Sequence, residues 1–235
     1  MAGIAQQLDG IRQRIASACM ASGRPVGSVV LIAVSKTFPE DAIHEAFLAG
    51  QTHFGESRLQ EAEPKIAVLP KEIHWHFIGR VQRNKVRRIL SLFETVHGID
   101  SSRLAAYVDA TACELGLKPR VFLQINIGRE PSKGGFSPEE IHQEMQNLCA
   151  LGNLELQGLM CIPPVADDAN AARPWFAALR ELRDDLSRQF SVPLPCLSMG
   201  MSSDFESAIL EGATHVRVGS AIFGNRSYRV DGELG

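Results

Sequence analysis

The chain has 235 residues, 45% of them apolar, with 24 Lys and Arg against 27 Asp and Glu for a formal charge of -3. That is apolar content enough for one large domain, and a charge balance with no general pull toward nucleic acid or anionic membrane. No apolar stretch reaches bilayer length, no signal-like segment opens the chain, and the five cysteines are scattered without a C-x-x-C pair, which argues against a disulfide framework or structural zinc and for a reducing cytoplasm.

Ile4, Leu8, Ile11 and Ile15 fall at helical spacing and predict an N-terminal helix. Val29 to Val34 is an unbroken apolar run, the pattern of a strand buried on both faces. A helix follows from Pro39 to a stop at Gly50, then a short strand from Thr52 to Phe54 and a helix beginning near Glu56. Ile73 to Ile78 is a third strand, Gln82 to Leu90 a basic helix, Thr95 to Ile99 a fourth strand. Ser101 or Ser102 caps the next helix, which runs to Gly116. Val121 to Ile127 is the fifth strand, and Ser137 caps a helix opening Pro138-Glu139-Glu140. Leu154 to Cys161 is the sixth strand, Pro163 to Asp168 a loop, and Ala169 to Phe190 a longer helix. Leu197 to Met199 is a seventh strand, Ser203 with Glu206 predicts a capping box, and His215 to Val218 is the eighth strand. Eight strands alternating with helices predict a single-domain (β/α)8 barrel, a TIM barrel with an extra N-terminal helix. An open doubly wound sheet is the rival, weakened by the absence of G-x-G-x-x-G after the first strand.

In such a barrel, chemistry gathers where strands end. Lys36 closes the first strand. Partial desolvation lowers a lysine's pKa and frees a nucleophilic amine, suited to a Schiff base with a carbonyl such as pyridoxal 5'-phosphate (PLP). The plain alternative is a lysine that snorkels to water. Ser202 and Ser203 open one helix, and Gly219 and Ser220 another. The loops after the seventh and eighth strands are a frequent phosphate site, though simple capping accounts for either serine alone. Arg217 interrupts a strand that is otherwise buried and needs a partner. That partner is either a structural carboxylate or the pyridine nitrogen of PLP, which an arginine would leave unprotonated and so a weaker electron sink.

The segments Ala33-Val34-Ser35-Lys36-Thr37, His53-Phe54-Gly55-Glu56, Trp75-His76-Phe77-Ile78-Gly79, Ser132-Lys133-Gly134-Gly135, Gly158-Leu159-Met160, Leu197 to Asp204 and Val216 to Gly224 together resemble the pyridoxal phosphate homeostasis protein family, in order and over nearly the whole chain. The resemblance implies a barrel related to the N-terminal domain of alanine racemase. It implies PLP as a Schiff base on Lys36, Arg217 at the pyridine nitrogen, and phosphate held by Ser202, Gly219 and Ser220. It also implies a role as PLP carrier or regulator, without robust catalysis. Ser57, His76, Met160 and Met199, at or near strand ends, complete the expected cofactor site. Ser57, Arg80 and Arg83 stand where the family commonly has Asn, Pro and a small polar residue.

Arg80, Arg83, Lys85, Arg87 and Arg88 make a basic run; without interleaved aromatics it reads as a solvated helix face rather than a nucleic-acid surface. His74 and His76 share one side of a strand, but no third ligand at useful spacing suggests a metal. The competing function is a PLP-dependent amino-acid racemase, which needs a base on each face of the substrate carbon. The only tyrosines, Tyr107 and Tyr228, are poorly placed to be the second base. The expected partners are PLP and the apo-enzymes that use it, with no membrane or nucleic acid, and the expected state is a monomer.

Overall fold

Strands largely buried on both faces belong to a parallel sheet covered by helices, and closure of that sheet into a barrel removes its open edges altogether. The computed structural model describes residues 3–164 and 169–224. Within them eight strands, β1 (Val30–Val34), β2 (His53–Glu56), β3 (His74–Phe77), β4 (Thr95–Ile99), β5 (Arg120–Ile125), β6 (Glu155–Cys161), β7 (Cys196–Ser198) and β8 (His215–Val218), form a closed parallel barrel. β8 pairs back onto β1 from Val30 opposite His215 to Ala33 opposite Val218. Parallel pairing obliges each connection to cross outside the sheet. The crossovers carry α2 (Glu40–Leu48), α3 (Leu59–Val68), α4 (Val86–Leu92), α5 (Ser102–Leu115), α6 (Pro138–Cys149), α7 (Arg173–Phe190) and α8 (Phe205–Leu210); α9 (Ser220–Phe223) follows β8, and α1 (Ile4–Ala21) precedes β1. The fold is the (β/α)8 barrel expected.

α1 is less an addition than a substitute. α9 is a single turn, too short to cover the seam between β8 and β1. α1 packs against α8, α9 and α2 and buries Leu8, Ile11, Ile15 and Cys19 in the layer between strands and helices. A bidentate Arg14–Glu206 pair, 3.0 and 2.6 Å, ties it to α8.

The local signals hold at Ser137, whose capping box with Glu140 is complete, and at Ser101, which accepts the Leu104 N–H. Gly116 ends α5 in the left-handed conformation at φ 64°. Three expectations change. β2 runs through Gly55 to Glu56, so these are strand residues and the helix begins only at Leu59. The capping box at Ser203 does not form: Asp204 holds the N-cap, its carboxylate accepts the Met201 N–H at 2.6 Å, and Glu206 turns to Arg14. The basic segment is a 3-10 turn, Arg83–Lys85, before α4 begins at Val86. Residues 165–168 of the expected loop and Tyr228 lie outside the described residues. Among the described residues no helix is long and apolar enough to cross a membrane.

Candidate functional site

A cavity of about 380 Å³ opens at the C-terminal ends of the strands. Lys36 reaches it from the end of β1, Ser202 from the loop after β7, Arg217 from β8, and Gly219 and Ser220 from the turn into α9. Ile78, Ile162 and Phe38 supply apolar walls. A larger groove of about 770 Å³ runs beside α7, but it is broadly open and offers ion-paired side chains such as Arg183 and Asp184.

The turn that presents Lys36 is tightly held. The Phe38 N–H donates to the Ser35 carbonyl at 3.1 Å, closing a turn with Lys36 and Thr37 at its centre. Thr37 has φ 70°, a conformation that suits glycine and strains a β-branched residue. Its N–H is fixed by the Glu61 carboxylate at 3.1 Å. Beneath the turn lies a buried ion pair, Lys65 to Glu56 at 2.7 Å, with Lys65 also donating to the Ser35 carbonyl and the Ser35 hydroxyl donating to Glu56. Burial raises the Glu56 carboxyl above the ordinary range, and Lys65 opposes that rise. Sequence reading missed this support. In the sequence Glu56 reads as the start of a helix, and nothing local indicates that Lys65, nine residues on, would face it.

Arg217 is 6% exposed, and among the described residues its hydrogen bonds go to no carboxylate, though Asp204 lies near enough to act on its charge. It donates instead to the Ser198 carbonyl at 2.9 Å, the Ser198 hydroxyl at 2.6 Å and the Cys161 carbonyl at 2.8 Å. Burial lowers its pKa, though an arginine stays charged near neutrality. These three bonds leave part of its five-donor fork for a ligand in the cavity it lines.

The loops after β7 and β8 are joined by the Gly219 N–H, which donates to the Ser202 hydroxyl at 3.2 Å. That leaves the Ser202 proton to point elsewhere. Gly219 has an ordinary negative φ; what the missing side chain provides is room, since a Cβ there would come within 3.3 Å of Val34. Lys36, Ser202, Arg217, Gly219 and Ser220 thus share one cavity, as the sequence suggested.

Ser57, His76, Met160 and Met199 are not among its walls. His76 and Met160 lie one level too deep inside the barrel, and the residues two further along the same strand faces, Ile78 and Ile162, line the cavity instead. Met199 faces outward into the layer between strands and helices. Ser57 is half-buried, its backbone pressed against Gly79, where a Cβ would sit 2.1 Å from the Ser57 carbonyl oxygen. The basic run is largely paired at the surface: Arg88 with Glu63 at 2.7 Å, Arg87 with Glu114, and Arg83 over the Tyr107 ring at 4.6 Å.

A closed parallel barrel with a lysine at the end of β1 and an arginine inside β8 defines a class. Residues 7–227 match the family "Alanine racemase, N-terminal domain". Within that class three relatives agree. The pyridoxal phosphate homeostasis protein of Pseudomonas aeruginosa is 44% identical over 232 residues, 97% of this chain and 98% of that one. Its namesake from Aquifex aeolicus is 40% identical over 224 residues, 95% and 98% of the two chains. PipY of Synechococcus elongatus, solved with PLP bound, superposes with a TM-score of 0.83 at 39% identity over 94% of this chain and all of that one. The chain belongs to the pyridoxal phosphate homeostasis protein family.

Proposed function

We propose that this chain binds PLP at the mouth of its barrel and acts in intracellular PLP homeostasis, as a monomeric carrier or regulator without robust catalysis that supplies apo-enzymes. One observation carries the reading: Lys36, Ser202, Arg217 and Ser220, drawn from both ends of the chain, line one cavity of about 380 Å³, within the size range of small-molecule sites. The residues fit a flat ring with an anionic arm. Bound PLP would supply an aldehyde, a group that reacts with an amine. Lys36 offers that amine from a turn fixed by Glu61 and Lys65. Ile78 and Ile162 would flank the ring, and the Arg217 fork, which has no acceptor, would leave a ring nitrogen beside it unprotonated. The Ser202 and Ser220 hydroxyls, with the backbone N–H groups that open α9, would hold the phosphate. Ile162, 41% exposed, leaves one side of the cavity open for release.

What favours a carrier over a racemase is the second base. Among the described residues no tyrosine lines the cavity: Tyr107 sits on α5 beneath the Arg83 guanidinium, away from its walls. The test is borohydride reduction of the PLP-loaded protein followed by peptide mapping, with L- and D-alanine incubations in parallel. The expected result is one pyridoxyl adduct on Lys36, absent in Lys36→Ala, and negligible racemisation. An adduct on another lysine overturns the site, and fast racemisation abolished by Lys36→Ala overturns the carrier role.

A further inference from the structure

Below the cavity the barrel interior is unusually polar. Such interiors are ordinarily filled by branched apolar side chains, yet here β2, β3, β4 and β7 contribute His53, His76, His97 and Ser198 to one continuous line of hydrogen bonds. His53 Nδ1 lies 2.9 Å from His76 Nε2, His76 Nδ1 3.0 Å from His97 Nε2, and His97 Nδ1 2.8 Å from Ser198 Oγ. Ser198 Oγ in turn receives Arg217 Nη1 at 2.6 Å. The line runs from half-buried His53, near the N-terminal floor, to the guanidinium at the cavity.

Its direction follows from chemistry. A guanidinium only donates, so Ser198 Oγ must accept from Arg217. A second lone pair on Ser198 Oγ would also take a His97 Nδ1–H, but the buried hydroxyl proton would then lack an acceptor among the described residues, so full pairing sends that proton to His97 Nδ1. Burial, then the neighbouring His76, His215 and Arg217, hold the His97 pKa well below the ordinary value, and His76 is similarly depressed. A neutral His97 that accepts at Nδ1 carries its proton on Nε2 and donates to His76 Nδ1; the same step repeats from His76 to His53. Every bond points the same way.

We infer that His53, His76, His97 and Ser198 form a one-directional positioning relay, all three imidazoles in the Nε2–H form, that aims the Arg217 guanidinium at the ligand cavity. The relay rests on the reading of Arg217 as the group facing the bound ring. It touches no ligand itself and acts only through Arg217. Ser198→Ala removes both the acceptor for Arg217 and the donor to His97, leaving Arg217 its two carbonyl partners. His97→Gln preserves the sense of the relay, because an amide oxygen can accept from Ser198 while its NH2 donates to His76. His97→Phe fills the same space and breaks it.

The experiment is long-range proton–nitrogen correlation of histidine rings in ligand-free protein at neutral pH, together with PLP titration of wild type, Ser198→Ala, His97→Gln and His97→Phe. Wild type is expected to show bare Nδ1 and protonated Nε2 on His53, His76 and His97. Ser198→Ala is expected to disturb the His97 tautomer, and both it and His97→Phe to weaken PLP binding by about tenfold, the scale of one lost hydrogen bond; His97→Gln restores affinity to within about threefold of wild type. A protonated Nδ1 on any of the three wild-type rings overturns the relay, as does unchanged affinity in both Ser198→Ala and His97→Phe. The wild-type spectrum needs no substitution to fold. Failure of wild type to bind PLP at all refutes the cofactor reading instead, and the ligand-free tautomers still decide the relay.

Discussion

Lys65 and Glu56 decide how firmly Lys36 is held. Both are buried, they meet at 2.7 Å, and each also holds Ser35, the residue before Lys36. One carboxylate oxygen, Glu56 Oε2, has no hydrogen-bond partner among the described residues, so Lys65 is the main compensation for a buried charge. Removing one partner of such a pair is far worse than removing both. Lys65→Met should destabilise the protein by about 3–5 kcal/mol in urea unfolding. The double variant Lys65→Met/Glu56→Gln should recover most of that, because a neutral amide still accepts from Ser35. A double variant as unstable as the single one would contradict this account.

At the level of elements, the telling piece is α1. It closes the helical layer that one-turn α9 leaves open, and Leu8 at its centre is fully buried. Leu8→Ala should cost about 2–5 kcal/mol through lost burial and the cavity left behind. Met20→Ala on the exposed face of the same helix should stay within about 0.5 kcal/mol of wild type. Equal effects in thermal or urea unfolding would mean that α1 is only loosely attached.

For the whole molecule, the histidine-lined interior sets the response to acid. Burial, the largest cause in each case, lowers the pKa values of His53, His76, His97 and His215, that of His215 to about 4. The unfolded chain takes up these protons near pH 6.5, while the folded chain refuses them. The stability linked to them is therefore whole above about pH 6.5 and falls as pH drops. For His215 the loss continues down to about pH 4 and amounts to about 3 kcal/mol. Glu56 and Asp204, whose carboxyl pKa values burial raises, act in the opposite sense, two groups against the four histidines. Urea midpoints of ligand-free protein should fall steadily from pH 7 to pH 5, and His215→Leu should flatten the slope. A pH-independent midpoint would show that these rings are already protonated or solvated.

Local physics made much of this legible in the chain. Helix caps at Ser101 and Ser137, the left-handed stop at Gly116 and the doubly buried run of β1 depend on residues a few positions apart, so spacing alone reveals them. Lys36 at a strand end and Arg217 inside a buried strand stood out because charge is costly there. Depth inside the barrel was another matter. His76 and Met160 were each placed one level too high, and Met199 on the wrong face, because height and facing are set by register between strands rather than by sequence along one of them. The same register brings His76 to His97 across 21 residues, and His97 to Ser198 across 101. The sequence by itself determined the alternation of elements and the identities of the lysine and arginine. Only closure of the barrel decided which side chains share a cavity, what supports them from below, and which helix seals the last seam, since those contacts exist only once distant strands are held side by side.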